Sequence, residues 1–321
     1  MKKIIIIIIV VAFVGIGLYF ITQSPSDKAD KNQNRDVIVD TNSPADGKPA
    51  DTAPVKPQDN KAESVIGKSI EGRDITAYHY GQENDGGSEG ATKNLLFVGG
   101  IHGGYEWNTA LVAYELMDYL KGNPTVIPEN VRVTVIPVLN PDGLNKVVGT
   151  TSAASRFAQA DVSSSQAVKV SGRFNARGVD LNRNFDCDWQ SIGTWQNKKV
   201  SGGSAAFSEP ESQALKNFVE TNKPDAVVTW YSAAGGVFSS SCHNGVLPET
   251  LAITNIYANA SGYKAYEEFN FYEITGDMVN WFAKNNIPAI SVLLTTHEDT
   301  EWTKNRKGID ALLKHYGKQS Q

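Results

Sequence analysis

A histidine and a glutamate with metal-binding side chains, His102 and Glu106, lie in the segment LLFVGGIHGGYEWNT, Leu95 to Thr109. The apolar residues before His102 predict a short buried strand, and those after Glu106 recur with the period of a helix. Open α/β sheets bind their ligands where strands end and helices begin. An imidazole and a carboxylate at such a place suit a divalent metal ion, with Zn²⁺ the natural candidate. The same pair is also compatible with a surface histidine and a glutamate stabilised by the helix dipole.

Three side chains of a second segment, GRFNARGVDLNRNFDCDW, suit the binding of anions. Arg183 offers a planar guanidinium that pairs with a carboxylate through two N–H groups, and Asn182 adds a neutral donor beside it. Arg173 supplies a second positive charge of the kind that stabilises an oxyanion. The alternative, a basic residue on a solvated loop, applies to any single arginine here.

Strands alternating with helices predict the scaffold that carries these segments. The predicted strands are Lys93 to Gly99, Val131 to Leu139, Ala226 to Trp230 and Ile287 to Leu294, and the predicted helices are Ser208 to Glu220 and Met278 to Lys284. This order indicates an α/β sheet with helices on both faces. The Ser-, Ala- and Gln-rich stretch from Thr150 to Gly172 is predicted to be a mobile surface loop.

Composition and the N-terminal residues predict where the protein resides. The formal net charge is −5, and the sequence has no basic stripe, which argues against a nucleic-acid partner. Two lysines followed by an apolar run from Ile4 to Ile21 predict an uncleaved signal anchor over residues 1–22, with a removed signal peptide as the alternative. Residues 23–63, poor in large apolar side chains, are predicted to be a disordered linker. Residues 64–318 are the predicted folded domain, on the outer side of the cell membrane.

Two cysteines, Cys187 and Cys242, lie on the outer side of the membrane in this topology, where a disulfide persists. An even number of cysteines in an oxidising compartment favours a bond between them. The alternative is two unrelated thiols.

Several motifs together resemble the zinc metallocarboxypeptidase (carboxypeptidase A) family. GKSIEGR, GGIHGGYEWNT, NPDG, GVDLNRNFD and the segment Tyr272 to Gly276 occur in the family's order and approximate spacing, and they span nearly all of the folded part. The resemblance implies a mixed, mostly parallel eight-stranded sheet with helices on both faces. It also implies a Zn²⁺ cofactor and the hydrolysis of peptides at or near a free C-terminus.

The resemblance assigns roles to the residues around the metal. His102 and Glu106 become metal ligands, and Asp180 becomes the carboxylate that orients the His102 ring. Arg173 becomes the catalytic residue that polarises the scissile carbonyl.

The resemblance also implies how a peptide is bound. Asn182 and Arg183 grip the terminal carboxylate, and Tyr272 closes over the substrate. The stretch after Tyr272 lines the pocket for the terminal side chain, where Asp277 meets a cationic group such as lysine, arginine or diaminopimelate. The alternative for Asp277 is a cap on the helix that starts at Met278, a common role for aspartate.

The sequence departs from the family pattern at three places. His102 and Glu106 are one residue further apart than in the family's His-x-x-Glu, an insertion that the two intervening glycines can absorb. Tyr231 takes the place of the third metal ligand, a histidine followed by serine, and a phenol coordinates a metal only when deprotonated. Leu293 takes the place of the general-base glutamate, and leucine cannot accept a proton.

Other side chains near the same strand ends are candidates to replace the missing groups. His243 comes shortly after the strand that contains Tyr231 and is the predicted third metal ligand. After the last predicted strand come His297, Glu298 and Glu301, each able to replace a ligand or the base. All four are also compatible with ordinary loop residues.

Two functions are compatible with this pattern. The first is a membrane-anchored, extracytoplasmic zinc carboxypeptidase, which the retained residues around His102 and Arg183 favour. The second is a carboxypeptidase fold that binds peptides or cell-wall peptides without cutting them, which Tyr231 and Leu293 favour. We predict the enzyme, with zinc as its cofactor and a peptide bearing a free C-terminal carboxylate as its partner.

Overall fold

The computed structural model describes residues 62–81, 92–149 and 156–318. The predicted signal anchor and nearly all of the predicted linker lie outside these ranges, so both stay predictions. Among the helices within these ranges, none combines the length and apolarity needed to cross a bilayer.

Most strands of the described chain build one sheet. The strands are β1 (Glu63–Lys68), β2 (Asp74–Tyr80), β3 (Lys93–Val98), β4 (Val131–Ile136), β5 (Ile192–Trp195), β6 (Lys198–Ser201), β7 (Ala226–Ser232), β8 (Gly236–Ser239), β9 (Ala265–Tyr266) and β10 (Ala289–Leu294). The 8-stranded sheet has the order β1-β2-β4-β3-β7-β10-β8-β9, and β5 and β6 form a separate hairpin. The pairs β4–β3, β3–β7, β7–β10 and β8–β9 are parallel, and the other pairs are antiparallel. This mixed, mostly parallel sheet confirms the predicted fold class.

Helices cover both faces of the sheet. They are α1 (Trp107–Gly122), α2 (Pro141–Val148), α3 (Gln166–Ser171), α4 (Pro210–Asn222), α5 (Pro248–Ser261), α6 (Met278–Lys284) and α7 (Trp302–Lys318). Successive residues of a strand point to opposite faces. Leu95 and Phe97 of β3 therefore pack in one core cluster with α1, α5 and α7, and Leu96 and Val98 pack in the other with α4 and α6.

The central parallel strands set the position of the candidate site. β7 and β10 are buried at every residue, because helices cover both faces of a parallel sheet. β3, β7 and β10 run in the same direction, so their carboxyl ends lie at one edge. That edge brings together His102 after β3, Tyr231 near the end of β7 and Leu293 near the end of β10.

Several elements differ from the sequence predictions. Residues 150–155 of the predicted loop from Thr150 to Gly172 lie outside the described residues. The remainder contains α3, whose first turn is capped by the Ser165 hydroxyl accepting the Val168 N–H at 3.4 Å, so the loop prediction is wrong there. The helix predicted over Met278–Lys284 is confirmed. The sequence analysis missed α5 and α7, although Pro248 at the start of α5 and a left-handed glycine after its end are ordinary helix boundary signals.

Candidate functional site

A cleft of about 450 Å³ opens at the carboxyl ends of the central strands. Side chains from the sheet edge, the β5–β6 hairpin and the loop before α6 line it. Most of the residues singled out in the sequence line this cleft: His102, Glu106, Arg173, Asn182, Arg183, Tyr231, His243, Tyr272, Asp277, Leu293 and His297. The predicted site residues therefore converge on one cavity, with Asp180 fully buried beside it.

His102 and Glu106 face each other across a short 3₁₀ turn, Gly103–Glu106. His102 Nδ1 lies 2.9 Å from Glu106 Oε1, and His102 Nε2 lies 3.6 Å from Asp180 Oδ1. Both ring nitrogens are buried and neither makes a hydrogen bond. The other oxygen of Glu106 accepts the backbone N–H of Ser232 at 3.1 Å. The extra residue between His102 and Glu106 is thus absorbed without separating the two side chains.

Arg173 pairs with Asp180 through one edge of its guanidinium, formed by Nε and Nη2. Arg173 Nε donates to Asp180 Oδ2 at 2.9 Å, and Nη2 lies 2.8 Å from the same oxygen. Burial acts to raise the pKa of Asp180, but the charge of Arg173 and the contact with His102 hold that pKa far below its usual range. Asp180 is therefore a carboxylate that fixes Arg173 as well as facing His102. Arg173 also stands 3.8 Å from Glu106 and 4.4 Å above the ring of Trp195.

A hydrogen-bonded tyrosine, Tyr231, lies where the family pattern has its third metal ligand. The Tyr231 hydroxyl donates to Asn182 Oδ1 at 3.2 Å, and its ring centroid lies 5.6 Å from that of His102. Burial, together with the nearby carboxylates of Asp277 and Glu106, raises the pKa of Tyr231 well above 10. Tyr231 is consequently a neutral phenol rather than a phenolate ligand.

The donor set therefore falls short of a catalytic zinc site, which has three protein ligands. In the described part of the chain, no third His, Cys, Asp or Glu forms a metal-sized group with His102 and Glu106. Leu293, directly opposite Tyr231 in the β10–β7 pairing, offers the cleft no proton acceptor. His102 and Glu106 are suitable metal ligands, but the described residues do not supply the third protein ligand that a catalytic zinc site requires.

His243, the predicted third ligand, lies elsewhere in the cleft. Its Nε2 is 2.9 Å from Asp188 Oδ1, and its side chain is 68% exposed. The neighbouring Cys242 is bonded to Cys187, which confirms the favoured disulfide. The bond joins the His243 segment to the segment of Cys187 and Asp188, where His243 is exposed, whereas His102 is buried. The placement does not support His243 as a ligand of the His102 site.

The other replacement candidates also have defined environments. His297 lines the cleft with its ring centroid 4.7 Å from that of Tyr105, and burial lowers its pKa, so the imidazole is neutral. Glu301 is held by the Thr295 N–H, the Tyr263 hydroxyl and Lys304, which leaves it a structural partner at the start of α7. Glu298 is exposed and does not line the cleft.

Arg183 is the cleft residue best placed to hold an anion. It is 1% exposed, and its Nε and Nη2 donate to the carbonyl of Thr194 at 3.2 and 2.8 Å while Nη1 donates to the carbonyl of Asn182 at 2.7 Å. A guanidinium has five N–H groups. Two N–H groups, one on each terminal nitrogen, thus have no carbonyl or carboxylate partner among the described residues. Tyr272 stands over this end of Arg183, with its ring centroid 5.9 Å from the guanidinium carbon and its hydroxyl hydrogen-bonded to the guanidinium.

Asn182 and Asp277 are hydrogen-bonded to each other. Asn182 Nδ2 donates to Asp277 Oδ2 at 2.8 Å, and Asn182 Oδ1 accepts from Tyr231 and from the Met278 N–H. Asp277 Oδ1 accepts the Asn280 N–H at 3.0 Å, which makes Asp277 the cap of α6. The capping alternative is correct. Both oxygens of Asp277 already accept hydrogen bonds, so its contact with a cation is not supported. The second N–H of Asn182 Nδ2 has no partner among the described residues, so the contact of Asn182 with a carboxylate stays a prediction.

The β5–β6 hairpin is a part of the site that was not predicted from the sequence. Thr194 holds Arg183 through its carbonyl, and Trp195 stacks on Arg173. Gly193 lets the strand approach, since a Cβ there would lie 2.8 Å from Arg183 Cδ. The available signal was the short alternating run IGTW followed by a turn and a second short run.

Removal of the disulfide is expected to destabilise the domain. The bond closes a loop with a sequence separation of 55 residues, and loop-closure entropy assigns such a cross-link about 4 kcal/mol. The Cys187→Ser, Cys242→Ser double variant should lose up to that much free energy of unfolding in urea titrations. An unchanged free energy would mean that the unfolded chain is not constrained by the bond.

Comparisons with known proteins agree with this geometry. The family model described as zinc carboxypeptidase matches residues 58–309. Carboxypeptidase Z of Rattus norvegicus is 27% identical over 188 residues, which is 57% of this chain and 26% of that protein. The carboxypeptidase N catalytic chain of Homo sapiens is 27% identical over 188 residues, which is 57% of this chain and 37% of that protein. The matched part thus spans only about a quarter to two fifths of these relatives.

Solved structures share the fold. The murein-tripeptide amidase MpaA from Escherichia coli O157 superposes with a TM-score of 0.53 and 20% identity, covering 78% of this chain and 91% of that one. Carboxypeptidase A from Helicoverpa armigera superposes with a TM-score of 0.57 and 19% identity, covering 80% and 68%. Identities of this size show the fold alone. Because the family model spans most of the chain, and the sheet and the cleft agree with it, this chain belongs to the zinc carboxypeptidase family.

Proposed function

We propose that this domain binds peptides through their free C-terminal carboxylate and does not hydrolyse them. The observation that carries the proposal is the contrast between two ends of one cleft. Arg183 has two N–H groups without a carbonyl or carboxylate partner among the described residues, while Tyr231 and Leu293 occupy the places of a metal ligand and a general base. A buried guanidinium pairs strongly with a carboxylate through two parallel hydrogen bonds.

Cell-wall peptides are the ligands that we propose. One structural neighbour is a murein-tripeptide amidase, and the predicted N-terminal anchor would hold the domain next to the wall on the outer face of the membrane. The Cys187–Cys242 disulfide supports this location, because disulfides persist mainly in oxidising compartments. Release of the processed protein from cells into the medium would contradict an anchored domain.

Peptide hydrolysis with zinc is the second candidate, and the buried, unbonded nitrogens of His102 favour it. Two ligands bonded at about 2.0–2.1 Å to a tetrahedral zinc ion lie about 3.3 Å apart. His102 Nδ1 and Glu106 Oε1, at 2.9 Å, are close to that spacing. Bound zinc would supply a nucleophilic water and polarise the peptide carbonyl. This candidate requires a further ligand that the described residues do not bring to His102.

Calorimetry and mass spectrometry distinguish the two candidates. The full chain, purified with its disulfide intact, is titrated with a tripeptide that ends in diaminopimelate and with the C-terminal amide of the same tripeptide. We expect the free acid to bind, the amide to bind far more weakly, and the tripeptide to remain intact after long incubation with added Zn²⁺. Release of the terminal residue, lost in His102→Ala, would instead establish the peptidase.

A further inference from the structure

We propose that reduction of the disulfide turns Cys187, Asp188, Cys242 and His243 into a Zn²⁺ site at the mouth of the cleft. This site is separate from the His102–Glu106 pair and goes beyond the proposed peptide binding. Two thiolates, an imidazole and a carboxylate form a donor set suited to a closed, four-coordinate zinc site.

The ligand atoms are already gathered at one point. The two sulfurs, one Asp188 oxygen and one His243 nitrogen all lie within 4.8 Å of one another. Zinc bonds of about 2.3 Å to sulfur and about 2.0 Å to nitrogen or oxygen place the ligands of a tetrahedral site about 3.3–3.8 Å apart. His243 Nε2 and Asp188 Oδ1 are 2.9 Å apart, and the two cysteine Cα atoms are 6.2 Å apart. Side-chain rotations are therefore sufficient to assemble the site.

Hydrogen bonds hold both cysteine segments in place independently of the S–S bond. The carbonyl of Cys187 accepts the Gly276 N–H at 2.8 Å. Next to Cys242, the Ser241 N–H donates to Asn280 Oδ1 at 3.1 Å, and the Ser240 N–H donates to a β10 carbonyl at 3.2 Å. The reduced thiols thus stay beside Asp188 and His243.

The two halves of the cluster are built alike. Each cysteine is followed directly by the second ligand of its half, and both following residues have left-handed backbones, with φ of 52° at Asp188 and 58° at His243. The sulfurs are buried, whereas the Asp188 and His243 side chains are 53% and 68% exposed. An ion can therefore enter from solvent and meet the imidazole and the carboxylate before the thiolates.

Formation of the site is a two-electron reduction followed by metal binding. A dithiol reductant gives two electrons and two protons to the disulfide, which becomes two thiols, and the reductant becomes a disulfide itself. Each thiol then loses its proton to solvent as its sulfur bonds to Zn²⁺. Reoxidation forms the S–S bond again and releases the ion. Because Asp188, Cys242 and His243 line the cleft, its mouth carries a metal ion only in the reduced protein.

Cobalt spectroscopy tests the proposal directly. The full chain is reduced anaerobically with a phosphine, freed of reductant and titrated with Co²⁺ as a substitute for Zn²⁺. We expect one equivalent of Co²⁺ to produce the near-ultraviolet charge-transfer absorption of cobalt–thiolate bonds, and added Zn²⁺ to remove it. The oxidised protein should give no such absorption. Circular dichroism of the reduced chain reports whether the fold persists.

Matched variants locate the ion. His243→Ala should weaken Co²⁺ binding by about 100-fold, since even residues outside the coordination sphere change metal affinity about 10–100-fold. His102→Ala, on the floor of the same cleft, should leave the thiolate absorption unchanged. The proposal fails if the reduced, folded protein shows no cobalt–thiolate absorption, or if His243→Ala binds Co²⁺ like the wild type. Unfolding on reduction would equally refute it, because the site needs both loops in place.

Discussion

Arg183→Ala is expected to weaken binding of peptides with a free C-terminal carboxylate by about 2–5 kcal/mol, roughly 30- to 5,000-fold. The buried guanidinium of Arg183 has two N–H groups without a carbonyl or carboxylate partner among the described residues, and these are the donors proposed for the peptide carboxylate. Without the guanidinium, the terminal carboxylate of the bound peptide would be desolvated and unpaired. Isothermal calorimetry with a free tripeptide and with its C-terminal amide measures the effect.

Two further variants separate recognition from folding. Arg183→Lys keeps the positive charge but lacks the planar fork, so it should recover only part of the affinity. Arg177→Ala removes an arginine whose side chain is 57% exposed, pairs with Glu209 and does not line the cleft. The affinity of the Arg177→Ala protein for the free tripeptide should equal that of the wild type. Equal binding of the free and amidated peptides by the wild type would rule out carboxylate recognition altogether.

Tyr231→His is expected to raise zinc affinity at the floor of the cleft by about 100-fold or more, because it adds a third protein ligand to His102 and Glu106. The introduced imidazole would lie at the end of β7. The next residue, Ser232, already donates its backbone N–H to Glu106, so this strand end is close to the metal-binding pair. The change removes one hydrogen bond from Asn182, which keeps the Met278 N–H as a donor to the same oxygen. Zinc stoichiometry and competition with a chromophoric chelator, on protein with an intact disulfide, measure the gain.

Leu293→Glu in the Tyr231→His background tests the second missing group. A positioned general base contributes about 10²–10⁴-fold to a rate, so hydrolysis should be detectable in the double variant and absent in Leu293→Glu alone. His102→Ala in the Tyr231→His background should abolish the gain in zinc affinity. If the oxidised wild-type protein already holds one zinc ion that depends on His102, the two-ligand account of this site is wrong and the peptidase is favoured.

The sequence alone determined the fold class and the convergence of most candidate residues on one cleft. Both depend on local signals: apolar runs that end in His102 or near Leu293, and the compact motif that contains Asp180 and Arg183. Residues at the carboxyl ends of parallel strands must meet at one sheet edge, so their convergence follows from their order in the chain. The absence of an imidazole at Tyr231 and of a carboxylate at Leu293 was likewise visible without coordinates.

Only the tertiary structure decided which polar atoms remain available. Asn182 and Asp277 are far apart in the sequence, and their mutual hydrogen bond, which takes up one Asp277 oxygen, depends on the packing of α6 against the Arg183 segment. The hairpin that holds Arg183 and Arg173, and the distance of His243 from His102, also depend on long-range contacts. A residue's type fixes which hydrogen bonds it can make, but its partners are fixed by the fold. Chemistry was therefore predictable where it depended on residue type, and not where it depended on which donors and acceptors were already paired.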